Sequence, residues 1–195
     1  MKIILFLSLL IWVIPGFGKV KIQKPRSQHV TAFAIIVDEM TLEKTGGAVE
    51  AYRDALEADG LSTYIVSGNW KNPDEVKAEI IKLNKRKPVL EGVVFIGDIP
   101  VALIRNAQHM TTAFKMNEDE FPFPESSVPS DRFYDDLHLT FDFICQDSVN
   151  TSHFYYKLRE DSPQQLRPTF YSGRIKDPEA RRGDKYDAGA KYLAK

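Results

Sequence analysis

The stretch Gly92-Val93-Val94-Phe95-Ile96-Gly97-Asp98-Ile99-Pro100 decides the fold that this sequence predicts. It joins a short apolar run, which is typical of a strand buried on both faces, to a carboxylate and a turn. Two further motifs follow along the chain, Pro129-Ser130-Asp131-Arg132-Phe133-Tyr134-Asp135-Asp136-Leu137 and Tyr171-Ser172-Gly173-Arg174-Ile175. The order is therefore a strand closing on Gly-Asp, an acidic and aromatic segment, and a strand closing on Gly-Arg-Ile.

Strand-like and helix-like segments alternate around this stretch. Strands are predicted over residues 30–37, 61–66, 89–96 and 169–175. Helices are predicted over residues 47–59, closed by Gly60, then from Asn72 with Pro73 at the first position, and from Pro178 onward. Helical connections between strands imply right-handed crossovers and a parallel sheet covered on both faces. We therefore predict an α/β fold, a three-layer sandwich with a mostly parallel sheet of about four strands and a long insertion over residues 101–168.

The three motifs resemble, in order and spacing, the first half of the catalytic domain of gingipain-type cysteine peptidases. The resemblance covers roughly residues 30–195, and it implies a caspase-like or flavodoxin-like subdomain. That family carries its catalytic His and Cys in a second subdomain after the Gly-Arg-Ile strand, so we expect a completing subdomain downstream. The expected function is the first subdomain of an exported gingipain-like cysteine peptidase, a fragment or catalytically incomplete form that is inactive alone and holds no catalytic residue.

The single cysteine, Cys145, precedes the Gly-Arg-Ile strand, and no histidine follows that strand. Its setting, Phe141-Asp142-Phe143-Ile144-Cys145, alternates like a strand and indicates a buried small hydrophobe rather than a reactive thiolate. One cysteine also excludes an internal disulfide. The four histidines lack the spacing of a zinc pair. Neither thiol catalysis nor transition-metal catalysis is therefore expected from this chain alone.

The amino terminus predicts export. Met1-Lys2 gives a positive start, residues 3–14 are almost wholly apolar, and Pro15-Gly16-Phe17-Gly18 supplies small residues before a cut at Lys19. The apolar run is shorter than the about 20 residues that a bilayer-spanning helix needs, so no retained membrane span is expected. We predict a signal peptide over residues 1–18, a linker over 19–29 and a mature protein that is secreted, periplasmic or attached to the cell envelope.

A formal net charge of −1, with acids and bases interspersed, argues against nucleic acid or an anionic membrane as the main partner. The second hypothesis is a non-catalytic binding or scaffold module at the envelope, with a calcium-stabilised insertion that contacts a protein or peptide partner. Its apolar anchors would be Phe114, Phe121, Phe123, Phe133 and Tyr134. The alternative is that these aromatic side chains fold inward as a satellite core.

Acids follow the predicted strands, where ligands gather in parallel sheets. Asp38 and Glu39 follow the first strand and Asp98 follows the third. An insertion folded over this edge would add oxygen ligands of the kind that calcium prefers. They are Asp131, Asp135, Asp136 and Asp142. Alternatively, the insertion acids form a solvated turn, and Asp98 caps a segment that begins near Val101.

The resemblance implies structural calcium, with Asp98, Asp131 and Asp136 as predicted metal ligands. Ser130-Asp131, Tyr134 and Asp136 match the family motif, whereas His138-Leu139 stand where an Asp-Gly turn is common in relatives. Arg174 is expected to pair with an edge acid rather than to touch a substrate, because guanidinium groups bind carboxylates through paired hydrogen bonds.

Overall fold

A computed structural model describes residues 20–111, 115–176 and 185–193, so the predicted signal peptide, Phe114 and Pro178 lie outside the described residues. The fold is α/β, as predicted. The strands are β1 Lys21–Gln23, β2 Thr31–Asp38, β3 Leu61–Gly68, β4 Val89–Ile96, β5 Val101–Arg105, β6 Val128–Pro129, β7 Phe141–Gln146, β8 His153–Leu158 and β9 Tyr171–Ile175. The helices are α1 Glu39–Ala58, α2 Pro73–Asn84, α3 Phe123–Ser126, α4 Arg132–Asp135 and α5 Lys185–Leu193, with a 3-10 turn at Gln108–Met110.

The first sheet contains all four predicted strands, in the order β1-β3-β2-β4-β9. Strands β2, β3, β4 and β9 are parallel, and β4 has the predicted bounds. Strand β1 adds an antiparallel edge to β3, with Lys21 opposite Ser67. The prediction of one mostly parallel sheet is corrected here, because the described residues form two sheets and both are mixed.

The second sheet lies within the predicted insertion and has the order β6-β5-β8-β7. Its central strands β5 and β8 are parallel, and β6 and β7 pair at the two edges in antiparallel register. Strand β8 buries Phe154, Tyr155, Tyr156 and Leu158. The insertion is therefore a folded layer with its own core, because it carries enough apolar surface to cover a second sheet.

The segment predicted as a linker is part of the folded unit. Besides forming β1, it contacts the end of α1 through Glu57, whose carboxylate accepts hydrogen bonds from Arg26 N at 2.9 Å and Ser27 N at 3.0 Å. The Ser27 hydroxyl donates to the same carboxylate at 2.7 Å. The linker interpretation is corrected because backbone pairing and this buried acid hold the segment in place.

Helix α2 confirms its predicted start, since Asn72 Oδ1 accepts a hydrogen bond from Glu75 N at 2.9 Å and Pro73 is the first residue. Helix α1 begins at Glu39 rather than residue 47, because Asp38 Oδ1 accepts from Thr41 N at 2.8 Å and caps it. Gly46 and Gly47 therefore lie inside the helix, and this cap and tertiary packing outweigh the cost in helix propensity of these two residues. In the described part of the chain no helix is long and apolar enough to cross a bilayer.

The two faces of the first sheet carry separate apolar clusters. One cluster joins the sheet to α1 and α5, for example Ile35 to Val49 and Leu193. The other joins it to α2 and to the insertion. Phe133 and Tyr134 belong to that second cluster and are 2% and 0% exposed. Their proposed role as surface anchors is therefore wrong, and the inward-folded alternative is correct for these two residues.

Candidate functional site at the carboxyl edge of the first sheet

Arg174 brings the three sequence motifs into contact. Its Nη1 donates to the carbonyl oxygen of Ile99 at 2.7 Å, and its Nη2 donates to that of Pro100 at 3.3 Å. The same Nη2 contacts Asp131 Oδ1 at 2.7 Å, and Nε contacts Oδ2 at 3.3 Å. Tyr134 donates its hydroxyl to the Pro100 carbonyl at 2.7 Å. The strand end, the acidic segment and the Gly-Arg-Ile strand thus form one polar cluster.

Aromatic rings pack against the guanidinium of Arg174 in this cluster. The guanidinium carbon of Arg174 lies 5.1 Å from the centre of the Phe95 ring, a cation–π distance. The rings of Phe95 and Tyr134 are 4.8 Å apart. Burial raises the pKa of the Tyr134 hydroxyl, so it remains a protonated donor across the physiological range. The cluster therefore positions backbone and rings, and Arg174 pairs with an edge acid as the sequence predicts.

The Gly97-Asp98 turn is fitted against the start of α1. Gly97 has a φ of +82°, and a Cβ there would lie 2.2 Å from Asp38 Oδ2 and 2.3 Å from Thr41 Oγ1. Asp98 N donates to Asp38 Oδ2 at 2.8 Å, so one carboxylate serves both the turn and the helix cap. The segment after Pro100 is strand β5. The alternative in which Asp98 caps that segment is therefore wrong.

Asp136 joins α4 to the segment that leads into β9. It is fully buried, and its Oδ1 accepts from His138 N at 3.2 Å. Its Oδ2 accepts from Arg167 N at 2.6 Å. The backbone of Thr169 adds a hydrogen bond to the carbonyl of Asp135 at 2.7 Å. These bonds fix residues 167–169 beside α4 and use both oxygens of Asp136.

In the described part of the chain, Asp135 has partners for only one of its two carboxylate oxygens. It is fully buried, with Oδ2 2.5 Å from Ser172 Oγ and 2.7 Å from Arg132 Nη2. Within the described residues its Oδ1 has no hydrogen-bond partner. Burial raises the pKa of the Asp135 carboxyl, against the opposing effects of Ser172 and Arg132. Burial therefore favours the protonated form of this carboxyl group relative to the same group in water.

The predicted calcium ligands do not converge on one point. Asp131 binds Arg174, Asp136 binds backbone N–H groups, and the Asp98 carboxylate is half exposed and 3.7 Å from Lys176 Nζ. Across residues 20–111, 115–176 and 185–193, no group of three or more His, Cys, Asp or Glu side chains is arranged to hold a metal. Calcium would have to compete with Arg174, Lys176 and backbone N–H groups for these carboxylates. The calcium site stays a prediction.

Cys145 lies on β7, the edge strand of the second sheet, opposite Tyr155. It is half-buried, so the expectation of full burial is corrected. A register shift between Phe143 and Cys145 accounts for this, since it breaks the regular alternation of the strand and leaves Ile144 39% exposed. No hydrogen bond connects the thiol with a histidine in the part of the chain that is described.

Several partly buried polar contacts had no signal in the sequence. The Tyr156 hydroxyl donates to Asp74 Oδ2 at 2.6 Å across 82 residues. Lys77 lies 4.6 Å from the centre of the Phe133 ring, and burial lowers the pKa of its ammonium group. Asp38 did have a signal, because an Asp directly before a helical stretch is a common N-cap. The predicted helix began only at residue 47, so the cap was missed.

Comparison with protein-family models, curated proteins and solved structures finds no match for this chain.

Proposed function

We propose that this chain is the first subdomain of an exported gingipain-like cysteine peptidase, with a three-layer caspase-like or flavodoxin-like fold. The observation that supports the proposal is the contact among the three motifs that carry the resemblance. They are separated by tens of residues, and Arg174, Asp131 and the Ile99-Pro100 carbonyls join them directly. Their contact in the fold gives a physical reason for the presence of all three motifs in one chain.

In this proposal the chain supplies a scaffold, and a further subdomain supplies the catalytic pair. The carboxyl ends of β2, β4 and β9 lie together, and such edges are where α/β proteins place their sites. The Arg174 cluster keeps the insertion fixed beside this edge. Cys145, on an edge strand of the other sheet, has no part in the chemistry.

The test begins with the coding sequence that follows Lys195. The proposal expects a His-Gly and a later Cys, each after an apolar strand, and hydrolysis of fluorogenic peptides by the extended protein. Cys145→Ser should leave that hydrolysis unchanged, whereas serine at the downstream cysteine should abolish it. A stop codon directly after Lys195, or loss of hydrolysis in Cys145→Ser alone, would overturn the proposal.

The second candidate is a non-catalytic binding or scaffold module. One observation favours it: β7 is an edge strand that presents Phe143, 58% exposed, beside Ile144, 39% exposed. Exposed apolar side chains on a free strand edge are typical of surfaces that pair with another chain. A natural protein that ends at Lys195 and shows no hydrolysis would support this candidate over the peptidase.

A further inference from the structure

A large cleft lies at the edge of the first sheet opposite to the Arg174 cluster. It has a volume of about 500 Å³, which is within the range of ligand sites in proteins. Its lining includes Val30, Ser62 and Pro88, which flank the starts of β2, β3 and β4. The cleft therefore belongs to the amino-terminal edge of the strands, and the proposed peptidase role makes no use of it.

The charged groups of this cleft are all basic. Among the residues that the structure describes, its lining contains Lys24 and Lys87 and no Asp or Glu. Within the same residues neither lysine has an ion pair, and this is also true of the exposed Lys85 and Arg86 that precede Lys87 in the chain. In a protein of formal net charge −1, the lining of the cleft thus presents two lysines without an ion pair among the described residues.

The cleft also has apolar walls that an anion alone does not need. Val30 is 91% exposed, and Pro25 and Pro88 are half-buried in the same lining. Proline rings and an exposed valine present rigid apolar surface that costs little entropy to cover. A ligand that matches this lining carries negative charge and an apolar group together.

The histidine of the cleft is held in a fixed position. His29 N donates to Ser62 Oγ at 2.7 Å, and its Nε2 lies 3.1 Å from Ser27 Oγ. Ser27 is in turn fixed by Glu57. The floor of the cleft is therefore preformed, which reduces the ordering cost of binding.

We propose that this cleft binds an acidic peptide segment in which carboxylates flank an apolar side chain. The carboxylates pair with Lys24 and Lys87, and the apolar side chain packs against Pro25, Val30 and Pro88. A peptide is favoured over a membrane surface because the basic groups line a concave site and not a flat one. It is favoured over nucleic acid because the surface between the basic groups is apolar and offers no partners to the polar edges of bases.

The experiment uses the mature chain and a fluorescein-labelled, end-capped Glu-Glu-Leu-Glu-Glu peptide, followed by fluorescence anisotropy. We expect saturable binding that weakens as NaCl rises from about 50 to about 500 mM, because ion pairs at an open cleft are screened. Lys24→Glu combined with Lys87→Glu should weaken binding by about tenfold or more. Both side chains are exposed, so the variant should retain the circular dichroism spectrum of the parent.

A matched control separates the cleft from net charge. Lys44→Glu combined with Lys71→Glu changes the formal charge by the same amount at exposed lysines outside the cleft. This control should bind the peptide within about twofold of the parent. Equal losses in the two double variants would overturn the proposal, since only overall charge would then matter.

Changes in the peptide test the same point without altering the protein. Gln-Gln-Leu-Gln-Gln should bind about tenfold more weakly, and Glu-Glu-Ser-Glu-Glu should also lose affinity. A serine peptide that binds as well as the leucine peptide would overturn the role of the apolar walls. Binding to phosphatidylserine vesicles or to single-stranded RNA, with no anisotropy change for the acidic peptide, would overturn the assignment to a peptide.

Discussion

Arg174 shows how one side chain can connect segments that are far apart in the chain. Its planar guanidinium presents several N–H donors in fixed directions, which suits two carbonyls and a carboxylate at once. The contact with Asp131 spans 43 residues and the contact with Ile99 spans 75. With only 18% of its side chain exposed, Arg174 is screened less by water than a surface ion pair. Its removal therefore leaves a partly buried carboxylate without its partner, which costs more than the loss of an exposed pair.

Replacing Arg174 should reveal this difference. Arg174→Ala leaves Asp131 and two carbonyls without their donor, so we expect a loss of about 2–4 kcal/mol in the free energy of unfolding, measured by urea denaturation. Arg174→Lys should recover only part, since one ammonium cannot reach all acceptors. The control Arg159→Ala removes an exposed pair with Asp161 and should lower the free energy of unfolding by much less than Arg174→Ala. Equal losses in the two alanine variants would contradict a special role for Arg174.

Asp135 should make the stability depend on pH in a definite direction. Burial raises the pKa of its carboxyl in the folded protein, whereas in the unfolded chain it titrates near about 4. The folded state then binds the proton more tightly. The stabilising contribution is full below the unfolded pKa and is lost as the pH rises through the folded pKa. We expect the unfolding free energy of the parent minus that of Asp135→Asn to fall from about pH 3 to about pH 7.

Asp161 offers a control of opposite sign. Its hydrogen bonds with Arg159 lower the pKa of its carboxyl, so its contribution is present above the unfolded pKa and is lost as the pH falls through the folded value. The parent minus Asp161→Asn difference should therefore rise with pH. Two differences with the same sign of slope would contradict the assigned pKa shift of Asp135.

At the scale of elements, the turn after β4 couples a strand to a helix. Gly97 N donates to the carbonyl of Ile175 at the end of β9, and Asp98 N donates to Asp38 at the start of α1. The turn thus fixes three elements at the same edge of the sheet. Glycine is required here for two separate reasons: its positive φ and the absence of room for a Cβ.

Two glycine substitutions separate these reasons. Gly60 has a φ of +92°, and apart from its chain neighbours no described residue has a heavy atom within 4 Å of the place that a Cβ would occupy. Gly60→Ala should therefore cost only the backbone term of about 1–2 kcal/mol. Gly97→Ala has the same backbone cost and also displaces Asp38 from its cap on α1, adding at least about 1 kcal/mol. Chemical denaturation of the two variants measures the difference. Equal losses would mean that the turn can move away from Asp38 without cost.

At the scale of the whole molecule, the insertion is a second layer and not a loop over the first. Its sheet shares an apolar cluster with α2 and the first sheet. Within this cluster the ring centres of Phe133 and Tyr156 are 4.5 Å apart. The acids of α4 sit between this layer and β9. Their polar contacts orient the layer, since apolar packing alone has little directional preference.

The calcium prediction concerns this junction between layers. A cation bound by Asp98, Asp131 and Asp136 only in the folded state would raise the free energy of unfolding by about 2.7 kcal/mol at a hundredfold excess over its dissociation constant. We expect a higher melting temperature in millimolar calcium than in chelator, and no calcium effect in the variant carrying both Asp131→Ala and Asp136→Ala. Identical melting temperatures of the parent protein in calcium and in chelator would mean that these acids bind only their partners within the protein.

The sequence by itself determined the features that depend on neighbouring residues. The α/β class, the bounds of β4 and the capped start of α2 follow from apolar runs, β-branched residues and an Asn-Pro start. It also indicated that Arg174 would bind an acid, because guanidinium groups form paired hydrogen bonds with the carboxylates that gather at strand ends.

Only the tertiary structure decided the second sheet and the long-range partners of the acids. These depend on contacts such as Tyr156 with Asp74 across 82 residues, for which no local pattern exists. Burial likewise raises the pKa of Asp135 and not that of a solvated acid, although both look alike in the sequence. The physical reason is that burial, pairing and cavity shape belong to surfaces formed when distant segments pack, whereas propensity and capping act within a few residues.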